Sequence, residues 1–156
     1  MTNDDGIVPS SFLYIRTMPF KFEKLEVWQL SIDLSAKVYS LIENMPKSEQ
    51  FNLSSQIRRA VTSISLNIAE GSTGQSDPEQ TRFIGYAHRS LMEVVACLML
   101  MKDRNYLDQS SYDNLYADTE KLSAKLLAMK NYLRRNSSVS EEGESYNFED
   151  ESDIGQ

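Results

Sequence analysis

From Val27 to Leu133 the apolar residues of this chain recur three and four positions apart, and nothing between residues 20 and 135 has the two-residue alternation of a strand. The clearest instance is Leu115, Thr119, Leu122, Leu126, Met129 and Leu133, spaced 4-3-4-3-4, which places all six on one helical face. Such a face has to be covered, and here only other helices are available to cover it.

Four segments carry the pattern. "FEKLEVWQLSIDLSAKVYSLIENM" (residues 22–45) lines up Val27, Leu34, Val38, Leu41 and Met45 and stops at Pro46. A second helix starts after "PKSEQ" (residues 46–50) and runs to Gly71, where "EGSTGQSDP" breaks it. Asp77 then suits an N-cap, Pro78 a first helical residue and Gln80 the third position of a capping box; this helix runs to about Asp103. A fourth follows "RNYLDQSS" and ends near Arg134 and Arg135, whose charges favour a helix C-terminus. Four long helices with short connections predict an all-α fold, an antiparallel up-down-up-down four-helix bundle over residues 20–135.

The ends read differently. Residues 1–19 lack periodicity and are expected to form a flexible extension, with Met18 a second candidate start. The formal net charge of −7 is unevenly spread: residues 20–135 hold 15 Lys/Arg and 14 Asp/Glu, whereas residues 136–156 hold seven acids and no base. That Ser/Glu/Asp-rich stretch is expected to be a disordered acidic tail. The longest apolar run, "VVACLMLM" (residues 94–101), falls far short of the roughly 20 residues of a membrane span. No secretory pattern opens the chain, and the one cysteine, Cys97, cannot form an internal disulfide. A cytoplasmic protein without membrane contact is expected.

The third helix is apolar on more than one face: Phe83, Tyr86, Ala87, Leu91, Val94, Val95, Leu98 and Met101. No helix of a single four-helix bundle is central, so the excess points to a homo-oligomer.

Catalytic and metal chemistry finds few reagents. His88 is the only histidine, and with Cys97 it makes too small a set for a zinc site. "GSTG" (residues 71–74) lacks the Lys and Ser/Thr of a phosphate loop. No Glu-x-x-His pair is present for a carboxylate metal site. The expectation is a non-enzyme with no catalytic residue, metal or cofactor.

One stretch carries more than a core face. In "QIRRAVTSISLNIAEG" (residues 56–71), Ile57, Val61, Ile64 and Ile68 share one side of the helix. Gln56, Arg59, Ser63, Asn67 and Glu70 form a second straight stripe about 120° away. Either this face is solvated or it packs as a polar seam, with Ser90 and Glu93 of the third helix as counterparts.

These residues carry a resemblance. "FEKLEVWQ", "QIRRAVTSISLNIAEG", the Ala87, Ser90, Glu93 spacing and "NYL" (residues 105–107) resemble the four-helix bundle family of 23S rRNA intervening-sequence proteins. The likeness covers about residues 20–135 and matches at Gln56, Arg58, Arg59, Asn67, Glu70, Gly71, Ser90 and Glu93. It implies an up-down bundle assembling into a homopentamer, encoded in bacteria, with no established catalytic activity, and it favours the seam. A related branch, the accessory variability determinant of diversity-generating retroelements, binds nucleic acid and a reverse transcriptase through a basic surface. The chain departs from the pattern in having His88–Arg89 where a small residue and Gly are usual, and Asn105 where Gly is.

Two functions follow as expectations. In one, Arg58, Arg59, Arg82, Arg89, Lys102 and Arg104 are gathered by oligomerisation into a ring that contacts RNA or a nucleic-acid-processing protein. The polar seam of Gln56, Ser63, Asn67, Glu70, Ser90 and Glu93 then serves assembly. In the other, the bundle is a protein-interaction scaffold without nucleic-acid binding. The near-neutral body and the acidic tail, which would repel RNA or occupy a basic surface, favour that alternative.

Overall fold

The structure, a computed structural model, describes residues 20–74 and 76–145. Within them α1 spans Glu26–Glu43, α2 Leu53–Ser72, α3 Asp77–Asp103 and α4 Gln109–Ser145, with short 3-10 turns at Lys21–Lys24 and Lys47–Glu49. Each helix packs against two others, α1 on α2 and α4, α3 on α2 and α4, with the α2–α3 contact the most extensive. This ring of four antiparallel helices is the expected bundle, and no strand occurs among the described residues.

Its core follows the sequence pattern closely. Ile57, Val61, Ile64 and Ile68 of α2 meet Val27, Leu34, Val38 and Ile42 of α1 in one buried cluster. Ile84, Leu91, Val94, Leu98 and Met101 of α3 and Leu115, Leu122, Leu126 and Leu133 of α4 complete it. Fully burying each such side chain contributes about 1.5–3 kcal/mol. Thr119 fits the apolar row of α4 because its hydroxyl donates to the Tyr116 carbonyl at 2.6 Å. Two expectations shift. On α1, Ile42 is the core residue, while Leu41 and Met45 are only half-buried. On α3, Tyr86 is exposed and Phe83 half-buried.

The helix ends differ from expectation for identifiable reasons. Residues 22–45 are not one helix. Leu25 is extended (φ −78°, ψ 124°) and separates the Lys21–Lys24 turn from α1. Phe22 packs tilted against Trp28 at 5.0 Å between centroids, and Gln29 Nε2 donates to the Glu23 carbonyl at 2.9 Å. These contacts hold the turn against α1. The helix also stops at Glu43, short of Met45, because a residue preceding proline is pushed out of helical geometry. On α3 the first helical residue is Asp77 and the cap is Ser76, extended and without a side-chain capping bond. The Gln80 N–H reaches the Ser76 carbonyl at 3.1 Å, so the first turn closes one residue early and the Asp77–Gln80 capping box does not form.

Gly71 lies inside α2 and is buried. A Cβ there would sit 2.7 Å from the Cβ of Phe83, so this glycine sets how closely α3 approaches α2. At the other end of α3, Asn105 has φ 58°, Tyr106 N–H bonds the Met101 carbonyl at 2.9 Å and Asn105 N–H that of Lys102 at 3.0 Å. This is the left-handed C-terminal motif that glycine favours and asparagine tolerates.

Asp108 caps α4 through Oδ1 to Ser111 N–H at 2.7 Å. The helix does not stop at Arg135 but continues to Ser145, ten residues into the stretch expected as an acidic tail. Serine is no breaker here: Ser137 and Ser138 donate to the Leu133 and Arg134 carbonyls one turn back. The readings made for residues 1–19 and 146–156 lie outside the described residues.

Candidate functional surface on the second and third helices

The polar stripe of α2 sits on its outer face, beside the seam with α3. At its centre Ser90 Oγ of α3 donates to Ser63 Oγ at 2.9 Å. Asn67 Nδ2 donates to the same oxygen at 3.0 Å and to the Ser63 carbonyl at 2.8 Å. Ser63 Oγ thus accepts two bonds and ties the helices where both side chains are half-buried. The rest of the stripe stays outside this network. Gln56 is exposed and accepts a 2.7 Å bond from Arg59. Glu70 and Glu93 are exposed, and their carboxylates make no hydrogen bond or ion pair among the described residues, so within one protomer they are not seam partners. The spacing put them in line, but neither reaches a donor on the neighbouring helix.

An open groove of about 540 Å³ runs along this face, lined by Arg58, Arg59, Ser63, Leu66, Asn67 and Glu70, with Tyr39 of α1 at its edge. The Arg58 guanidinium lies 5.9 Å from the Tyr39 ring centroid. Leu66 is 62% exposed.

The outer face of α3 is divided along its length. Arg82 and Arg89 occupy the N-terminal half, stacked on Phe83 and Tyr86 at 5.6 and 5.8 Å. The C-terminal half presents Met92, Met99 and Leu100, respectively 43%, 54% and 47% exposed. α3 is long and apolar enough to cross a membrane by length and composition alone. About a third of that apolar window is buried within the bundle.

The six candidate cations do not converge in one protomer. Arg58 and Arg59 flank the α2 groove, whereas Arg82 and Arg89 line a cleft towards α4. Lys102 and Arg104 lie at the far end of α3, where Arg104 pairs with Glu49 at 3.6 Å. Lys130 of α4, absent from the sequence-derived set, shares the cleft with Arg82 and Arg89. Only the register between α3 and α4 brings it there, and a single helix pattern does not contain that register.

Glu49 was equally hidden. Nearly buried, it accepts from Asn52 Nδ2 at 2.9 Å, Tyr106 OH at 3.1 Å and Leu53 N–H at 3.4 Å. Burial raises its carboxyl pKa, but these donors together with Arg104 outweigh that and hold it below the usual range. The same bond, followed by burial, pushes Tyr106 up. His88 Nε2 meets Ser123 Oγ at 3.0 Å, and burial, then the Lys130 charge, lowers its pKa. Burial, then Glu93, raises the Cys97 thiol. Among the described residues no three His, Cys, Asp or Glu side chains are grouped to hold a metal.

The model of the 23S rRNA-intervening sequence protein family matches residues 23–128, more than half of the chain. The chain belongs to that family. A solved member of the S23 ribosomal protein family from Bacteroides thetaiotaomicron, described as of unknown function, superposes with a TM-score of 0.63. It is 23% identical, with 67% of this chain and 97% of that chain covered, and at that identity it supports the fold alone. No curated protein matches the chain. The intervening-sequence family match takes in α1, α2 and α3 whole, hence the Ser63–Ser90 bridge and the divided face of α3, and ends two residues before Lys130.

Proposed function

We propose that this intervening-sequence family protein is a non-catalytic, cytoplasmic homo-oligomer that associates with RNA or a nucleoprotein. The observation carrying this reading is the divided outer face of α3. Met92, Met99 and Leu100 give a second copy an apolar row to cover, while Arg82 and Arg89 stay outside it with no carboxylate partner among the described residues. Exposed apolar area of this kind marks interfaces, and unpaired Arg and Lys side chains supply most nucleic-acid affinity. A pentamer is the assembly that the family resemblance implies. With α2 and α3 at the subunit contact, Glu70 and Glu93 would find across the interface the partners they lack within one protomer.

Native mass spectrometry at micromolar concentration tests the assembly, and a monomer there would end it. RNA binding is tested by filter titration at two salt concentrations, on the full chain and on residues 1–145. Binding that weakens steeply with salt supports the reading. Stronger binding by the shorter chain would make residues 146–156, which hold four acids, a brake on it. If neither chain binds RNA at low salt, the scaffold alternative replaces it, and the near-neutral charge of residues 20–135 is the observation that favours that alternative.

A further inference from the structure

We propose that the cleft between the N-terminal half of α3 and the C-terminal half of α4 binds a phosphate oxyanion. The cleft has a volume of about 500 Å³, and Thr81, Arg82, Gly85, His88, Arg89 and Lys130 are among the residues lining it. Three are cations, none forms an ion pair among the described residues, and no carboxylate lines the cleft. Glu79, in the first turn of α3, is turned elsewhere: its carboxylate lies 3.1 Å from where a Cβ on Gly74 would be.

One further feature points to a ligand. Thr81 Oγ1 is buried without a hydrogen-bond partner, a state that ordinarily costs free energy and asks for an acceptor or donor. Gly85 stands in the interior of α3, where glycine is about 1 kcal/mol less favourable than alanine. The Lys130 ammonium lies 3.6 Å from the position a Cβ would take there, ordinary contact distance, so a side chain longer than alanine's would enter the cleft. His88, fixed by Ser123, closes the wall on the α4 side.

Arginine forks, an ammonium and a hydroxyl are all donors, and a tetrahedral oxyanion offers acceptors in every direction. Gathering three like charges without a counter-charge is unfavourable, and a bound anion relieves it. The phosphate can come from a nucleic-acid backbone or from a terminal or free phosphate. The proposal deepens the RNA reading and rests on it only for that source.

Calorimetric titration of inorganic phosphate into the full chain at low salt is expected to show binding. Lys130→Met and Arg89→Gln should each weaken it about tenfold or more, the loss of one charged hydrogen bond. Gly85→Leu fills the cleft without removing charge and should cause a similar loss at an undiminished melting temperature. The double change Arg134→Gln and Arg135→Gln, outside the cleft, should leave binding unchanged. Absence of phosphate binding, or an equal loss from that outside pair, overturns the site.

Oligoribonucleotides with 5′-phosphate or 5′-hydroxyl ends separate the sources. A Lys130→Met loss confined to the phosphorylated form assigns a terminal phosphate; an equal loss on both assigns the backbone. RNA binding that Lys130→Met leaves intact, with no phosphate binding, sinks the cleft while the RNA reading stands. Lys130-dependent phosphate binding without RNA binding does the reverse.

Discussion

Ser63 Oγ accepts hydrogen bonds from Ser90 on α3 at 2.9 Å and from Asn67 on its own helix at 3.0 Å, so one hydroxyl joins two helices along their outer seam. The energy of this joint is shared. Ser63→Ala removes the oxygen that both donors reach, leaving Asn67 only its 2.8 Å bond to the residue 63 carbonyl, and should cost about 1–2 kcal/mol, whereas Ser90→Ala keeps both Asn67 bonds and should cost less. Chemical unfolding of the two single variants and the double variant should give a non-additive cycle, with a coupling of about 0.5–1 kcal/mol. Additive effects would mean that the bridge carries no energy of its own.

Gly71→Ala should destabilise the protein by about 1–3 kcal/mol by overpacking. The added methyl meets Phe83 Cβ at 2.7 Å, and that atom is fixed to the α3 backbone. Gly85→Ala is the control. Its nearest neighbour is the tip of a lysine at 3.6 Å, and a gain of about 0.5–1 kcal/mol is expected from helix propensity. Thermal melts of both should move in opposite directions.

Asn105 occupies the left-handed region, where most side chains cost roughly 1–2 kcal/mol. Asn105→Gly should therefore leave stability equal or slightly higher, and Asn105→Val should lower it by about that amount. A valine variant as stable as wild type would mean that the turn rearranges freely.

Acid should destabilise the fold in two windows. His88 has a lowered folded pKa, so its contribution is present above the unfolded value near 6.5 and is lost as pH falls through the folded value. Glu49 is also lowered, so its contribution is present above the unfolded value near 4.5 and is lost on further acidification. Stability followed from pH 8 to pH 3 should lose the upper step in His88→Gln and the lower one in Glu49→Gln. A Glu49→Gln profile identical to wild type would refute the second assignment.

The fold was legible because helix periodicity is local. Leu115 through Leu133 sit where their spacing put them, and even Thr119 keeps its place by bonding its own backbone. The site was legible only in part. Ser63, Asn67 and Ser90 meet, but Glu70 and Glu93, equally well spaced, do not. Reach across a seam depends on interhelical distance, which spacing does not encode. Glu49 and Tyr106 are 57 residues apart, and a lone acid in a short connection reads as solvated. Lys130 belongs with Arg82 and Arg89 only once α3 and α4 are in register. The end of α4 escaped for a different reason: serine and glutamate resemble disorder in composition yet leave a helix unbroken.

The division of α3 into a greasy half and a cationic half has a geometric consequence. If copies meeting through Met92, Met99 and Leu100 close a ring about an axis running along α3, they all point the same way, since such a rotation repeats one orientation. The N-terminal ends of α3 would then crowd one rim, and the opposite rim would carry Lys102 together with Arg104, the latter already paired with Glu49. A ring of this chain would have a front and a back that differ in the cations they offer.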